Sequence, residues 1–125
     1  MSKLTVLVAD DIFANQFLLA SYVDMIDPTI GVRMVSNGKE AFDVLEKEKI
    51  DVIFMDIEMP VMNGIEATKK LKSDSKYSSI PVVAITAHNL EDFASEFGDA
   101  GFDTILEKPY SEETVLEVLK NLKLL

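Results

Sequence analysis

Asp51-Val52-Ile53-Phe54-Met55-Asp56-Ile57-Glu58-Met59-Pro60 is the stretch that decides how this chain folds. An unbroken apolar run, Val52 to Met55, leads straight into the carboxylate of Asp56, and Pro60 stops the extended run soon after. A strand that is apolar on both faces has to be covered on both faces, which is the position of a central strand in a parallel sheet flanked by helices. Asp56 then falls at the carboxyl end of that strand, the edge where ligands and chemistry gather in open α/β sheets. An isolated Asp at a strand end is ordinary, because Asp forms turns and caps helices.

The start of the chain supplies its company. Residues 4–9 form a second apolar run that ends in Asp10-Asp11. If the two strands are parallel neighbours, Asp10, Asp11 and Asp56 meet at one edge of the sheet. Like charges that close need a proton or a cation to compensate them. A hard divalent ion such as Mg²⁺, which takes oxygen ligands, suits the cluster. The plainer alternative is that Asp10-Asp11 only caps the helix that follows; the matching Asp56 turns the balance toward a metal site.

Outward from these two strands, strand-like runs alternate with helical patterns, the signature of an α/β fold. The remaining strands are expected at 32–35, 82–85 and 104–106, with the central one at 51–55. Arg33 interrupts the second run and places it at an edge, and the short fifth run belongs at the other edge. The first helix is expected over 14–25, with Leu19, Tyr22, Val23 and Ile26 facing inward and Pro28 ending it. Asn37-Gly38 leads into a second helix with Ala41, Val44 and Leu45 inside. Asn63-Gly64 leads into a third at 65–72. A fourth is expected at 90–99, with Leu90, Phe93, Ala94 and Phe97 inward, closed by Gly101. Ser111 caps the fifth, whose stripe is Val115, Val118, Leu119 and Leu122.

At 125 residues, 48% of them apolar and 27% charged, the chain reads as one globular domain spanning residues 1–125. The lack of cysteine excludes disulfides and thiolate metal sites. No signal-peptide pattern and no apolar run near the ~18 residues of a membrane span is found, so the expected location is cytoplasmic. A net charge of −10 argues against direct nucleic-acid contact and against an anionic membrane surface.

Two further strand ends carry polar groups. The fourth run ends in Thr86-Ala87, and Lys108-Pro109 follows the fifth. A hydroxyl and an ammonium facing a carboxylate cluster suit phosphoryl transfer: lysine and metal neutralise phosphoryl oxygens, the hydroxyl donates, and a carboxylate attacks. Ala87 leaves room for a bound group. Each of these residues is commonplace by itself; their convergence on one crevice is not.

With Asp10-Asp11, Asp56 in Met-Asp-Ile-Glu-Met-Pro-Val-Met-Asn-Gly, Thr86-Ala87, Lys108-Pro109 and Ala100-Gly101-Phe102-Asp103, nearly the whole chain resembles a response-regulator receiver domain of two-component signalling. The resemblance implies a flavodoxin-like, doubly wound five-stranded parallel sheet of order 2-1-3-4-5 with five helices. It implies that Asp56 accepts a phosphoryl group from a phosphohistidine, borne by a histidine kinase or a histidine phosphotransfer protein. Asp11 and Asp56 would bind Mg²⁺ directly, Asp10 through water and Glu58 through its backbone carbonyl. Lys108 would pair with the phosphoryl group, Thr86 would hydrogen-bond it, and the Lys108-Pro109 peptide would be cis. Such a domain is a signalling module with self-catalysed phosphotransfer and slow autodephosphorylation, not an enzyme in the usual sense. Its signal is a shift of the face made by the fourth helix, fifth strand and fifth helix, which binds a downstream protein or a second copy on phosphorylation.

Several positions bear on that reading. The aromatic residue usual three places before the motif lysine is Ile105 here, and Tyr110, after the proline, is no assured substitute. Glu58 and His88, each two residues beyond a motif residue, are candidates for governing phosphoryl lifetime. From 89 to 107 the charged residues are all acidic (Glu91, Asp92, Glu96, Asp99, Asp103 and Glu107), suited to steering a basic partner. The sequence ends with the last helix, so a stand-alone receiver or one excised from a larger protein is expected. Asn15 and the wording of the Asp56 and Thr86 segments resemble receivers of hybrid histidine kinases.

Three rivals compete. An aspartyl-phosphate phosphohydrolase also uses a strand-end Asp with Mg²⁺, but it wants a second Asp where Glu58 stands. A flavodoxin needs a Ser/Thr/Gly-rich phosphate loop where Asp10-Asp11-Ile12-Phe13 would repel a phosphate. A receiver that binds partners without phosphorylation has Ile105 as its best argument.

Overall fold

The central strand, β3 (Val52–Asp56), is buried along its whole length. The structure, a computed structural model, describes residues 4–87 and 98–125. Strands β1 (Thr5–Ala9), β2 (Gly31–Val35), β4 (Val82–Thr86) and β5 (Thr104–Glu107) complete one parallel sheet in the order β2-β1-β3-β4-β5. This is the expected flavodoxin-like order, with the topological switch between β1 and β3. Helices α1 (Phe13–Ile26), α2 (Gly38–Lys47), α3 (Gly64–Ser73) and α4 (Glu112–Asn121) are described. The helix expected at 90–99 falls outside the described residues except for its end: residues 98–100 are helical, and Gly101 then takes φ +96°.

The period-2 alternation of the strands divides the interior into two layers. Val6, Val8, Val52 and Phe54 point to one side, where Leu19 and Val23 of α1 and Val115, Val118 and Leu119 of α4 cover them. Leu7, Ala9, Ile53 and Met55 point to the other, beneath Ala41 and Leu45 of α2 and Ala67 and Leu71 of α3. Burying one such side chain is worth about 1.5–3 kcal/mol, so this double cover is what a fully apolar central strand requires.

Two boundaries differ from the sequence expectation. Asp51 does not begin β3. Its carboxylate accepts the Thr5 N–H at 2.8 Å, tying the entry of β3 to that of β1. At the other end, Asp56 is the last residue of the strand and not a residue beyond it, because it pairs in register with Ile85 of β4. β2 is at an edge, as Arg33 implied, and that arginine spends its charge on Glu48 in a two-oxygen contact at 2.8 and 3.0 Å.

Helix entries follow local chemistry. Asn37 and Asn63 accept from the N–H groups of Glu40 and Glu66, each at 2.9 Å, and Glu66 reaches back to close a capping box. Ser111 caps α4 through Thr114. By contrast α1 starts at Ile12 without any side-chain cap. Asp10-Asp11 therefore does not cap α1, and the plainer reading of the pair fails.

Candidate functional site

Pairing Ala9 with Met55 and Asp56 with Ile85 brings the carboxyl ends of β1, β3 and β4 level with one another. Asp10, Asp11 and Asp56 each place a carboxylate oxygen within 4.8 Å of the others. Asp10 and Asp56 are buried, while Asp11 is exposed. Asp10 is clamped: its N–H donates to the Val35 carbonyl at 3.0 Å, and its Oδ1 accepts the Ile12 N–H at 2.9 Å.

Asp56 Oδ1 accepts the Glu58 N–H at 2.9 Å, and Lys108 Nζ stands 3.2 Å from its Oδ2. The same ammonium lies 3.6 Å from Asp10 Oδ2, so one lysine bridges two buried acids. The Lys108 N–H donates to the Thr86 carbonyl at 2.8 Å, which locks the β5 exit to the β4 end. The Lys108-Pro109 peptide is cis, as expected. Thr86 is buried. Burial pushes the Asp56 carboxyl up to about 6, with Asp10 adding to the rise and the Glu58 N–H and Lys108 opposing it. A carboxylate held this way is short of positive charge, and all its neighbours that could ligate an ion offer oxygen. That donor set fits a hard divalent cation and not a thiophilic one.

A cleft of about 210 Å³ opens onto these groups, with Asp11, Asp56, Glu58, Ala87 and Lys108 among its walls. The small Ala87 side chain is part of what keeps it open. A larger groove of about 710 Å³ runs past Lys39, Phe42, Glu46, Met62 and Lys70, but its charges are mixed and the clustered carboxylates are not in it. Size does not locate the chemistry here.

Other expected positions fall out variously. His88 lies outside the described residues, as do Glu91, Asp92 and Glu96. Asp103 is exposed and engaged within the fold: its Oδ2 accepts from Lys72 Nζ at 2.9 Å and from the Val82 N–H at 2.8 Å. Ile105 is 39% exposed and pairs with Ala84. Tyr110 packs edge-on to Tyr22 with ring centroids 6.0 Å apart, and burial, followed by Asp10, pushes its hydroxyl up to about 12.

Two further residues carry the site, one the last of the Asp56 motif and the other outside every motif. Gly64 packs directly under Asp56, where a Cβ would run into the Asp56 carbonyl oxygen. Gln16 is buried with its amide on the Asp10 and Val35 carbonyls. Its signal was present in the sequence: a polar amide one helical turn from Leu19, on the inward face of an apolar helix, must find partners.

The family model for the response regulator receiver domain matches residues 6–120. The chain belongs to that family. Among its relatives, this receiver domain is 40% identical to the two-component response regulator 24 of Arabidopsis thaliana, over 97% of this chain and 85% of that protein. Its fold superposes with a TM-score of 0.85 on the chemotaxis response regulator CheY4 of Vibrio cholerae, at 28% identity over 97% of this chain and 99% of the other. It superposes with a TM-score of 0.86 on the receiver domain of the sensor histidine kinase PA1611 from Pseudomonas aeruginosa, a structure with a magnesium ion in its active-site cleft, at 24% identity over 96% and 97% of the two chains. Receiver domains are signalling domains of two-component systems, and the family binds Mg²⁺ in an acidic pocket. Among the described residues no helix is long and apolar enough to cross a membrane.

Proposed function

We propose that the chain is a single receiver domain that accepts a phosphoryl group on Asp56 in a cation-dependent reaction and signals through the face that includes β5 and α4. The observation that supports this best is the bridging of Asp10 and Asp56 by Lys108 at the mouth of a cleft that Asp11 also lines. The magnesium-bearing cleft of the Pseudomonas receiver points the same way.

In this reading Asp10, Asp11, Asp56 and the Glu58 carbonyl would hold Mg²⁺. The ion supplies charge neutralisation for the carboxylates and the phosphoryl oxygens when bound. The chain's own groups do the rest. An Asp56 carboxylate oxygen attacks phosphorus as the phosphorus–nitrogen bond of a phosphohistidine breaks. The imidazole leaves with the electron pair and is protonated, and Asp56 becomes an acyl phosphate. Its other oxygen stays on the Glu58 N–H, which orients the nucleophile. Lys108 moves its charge from the free carboxylate to the phosphoryl oxygens that now sit there, and the Thr86 hydroxyl donates to one of them. The donor is a histidine kinase or histidine phosphotransfer protein. The receiver turns over only by losing its own phosphoryl group to water. Movement of Thr86 alters β4 and, through the Lys108 N–H on its carbonyl, the start of the β5–α4 connection. A downstream protein, or a second copy, reads the altered face.

Intact mass after incubation with Mg²⁺ and acetyl phosphate tests the proposal. One phosphoryl adduct is expected, absent in Asp56→Asn and blocked by chelator. No adduct on the folded wild-type protein, with a small donor or with a phosphohistidine donor, refutes it and leaves partner binding without phosphorylation as the function.

A further inference from the structure

Gln16 is 6% exposed, on the face of α1 that it shares with buried Leu19 and Val23. Its Nε2 donates to the Asp10 carbonyl at 2.7 Å and to the Val35 carbonyl at 2.9 Å. The orientation of the amide follows, because the reverse would set Oε1 against two acceptors. The Val35 carbonyl also takes the Asp10 N–H, at 3.0 Å. The Asp10 main chain is thus held on both sides, and one side chain joins the ends of β1 and β2 to the first turns of α1.

The Asp10 carbonyl lies in the same peptide plane as the Asp11 N–H. Fixing that plane fixes the direction in which Asp11 leaves the sheet. Among the described residues nothing donates to the exposed Asp11 carboxylate, so its main chain is what aims it. We infer that Gln16 is a positioning residue for the cation site, setting the Asp10–Asp11 peptide so that Asp11 meets the ion with Asp56. This deepens the proposed function and rests on it. Magnesium tolerates little departure from octahedral geometry, so a ligand aimed wrongly loses affinity.

The test is Mg²⁺ binding to the full chain by calorimetry for wild type and Gln16→Met, which keeps the length and removes the donor. Outer partners of metal ligands are commonly worth 10- to 100-fold in affinity, so Gln16→Met is expected to bind Mg²⁺ about tenfold or more weakly. At saturating Mg²⁺ its rate of adduct formation with acetyl phosphate returns toward wild type, since the nucleophile and Lys108 are untouched. Val118→Ala, a core truncation within α4, should lower stability and leave Mg²⁺ affinity alone. Unchanged affinity in Gln16→Met, or an equal loss in Val118→Ala, overturns the inference while the proposed function stands. Wild-type protein that binds no Mg²⁺ overturns both. If Gln16→Met does not fold, the wild-type Gln16 side-chain amide resonance decides: it should shift with the same Mg²⁺ dependence as the Asp11 amide, and a static resonance while Asp11 moves overturns the inference.

Discussion

Replacing Asp56 by Asn should make the cation-free protein more stable at neutral pH. Burial raises the Asp56 carboxyl from its ordinary 3.8 to about 6, so the folded chain holds that proton more tightly than the unfolded chain does. A raised folded-state value contributes stability that is complete below about pH 4 and lost as the pH climbs through about 6. Above that the folded protein carries an ionised carboxylate in a place that disfavours it. The difference between about 6 and 3.8, at about 1.4 kcal/mol for each tenfold, amounts to roughly 3 kcal/mol. Asn keeps an acceptor for the Glu58 N–H and removes the charge. It also gives up the contact with Lys108, whose side chain is 26% exposed and keeps Asp10 as a partner, so the net gain should be about 1–3 kcal/mol. Urea denaturation in EDTA at pH 7.5 and again at pH 4 reads it. The variant should be more stable at pH 7.5, and the gap should narrow toward pH 4 as the wild-type carboxyl takes its proton. A variant equal to or weaker than wild type at pH 7.5, or a gap indifferent to pH, would refute the reasoning. Burial of Asp56 would then not be what sets its charge.

Asp11 is exposed and its carboxylate has no hydrogen bond or ion pair among the described residues, so Asp11→Ala should melt like wild type in EDTA. Wild type should gain about 2.7 kcal/mol at Mg²⁺ one hundred times its dissociation constant, and the variant should gain far less; an equal Mg²⁺-dependent rise in Tm would remove Asp11 from the site. Gly64→Ala forces a Cβ onto the Asp56 carbonyl oxygen and should cost about 1–3 kcal/mol or more in a denaturant melt, together with loss of adduct formation; wild-type behaviour would show that the loop yields easily. The Thr68 hydroxyl is fully buried in α3 and has no partner among the described residues. Thr68→Val should therefore stabilise the protein by about 1 kcal/mol in urea, and a loss of stability would mean that the hydroxyl is satisfied after all.

Much of the fold was legible because its decisive signals are local. The apolar run into Asp56 required cover on both faces, and the two core layers supply it. Arg33 marked an edge strand, Asn63 and Ser111 marked helix starts, and Gly101 marked a helix end by adopting φ +96°. Where the reading went astray, a long-range contact had taken a residue over. Asp51 serves the Thr5 N–H instead of opening a strand, and Asp103 is tied to Lys72, 31 positions away.

The sequence by itself determined which residue types end each strand, and with the pattern of the parallel sheet it determined that Asp10, Asp11, Asp56, Thr86 and Lys108 share one edge. That follows from periodicity and turn chemistry, which act over a few residues. Only the tertiary structure decided how those groups are held. The single ammonium between two buried acids joins positions far apart in the chain, and the Gln16 amide reaches Val35 as well as nearby Asp10, while the glycine pressed under Asp56 is a close approach that only the packed loop creates. Their energies come from desolvation, steric contact and buried hydrogen bonding, which exist only once the sheet has brought the strand ends together.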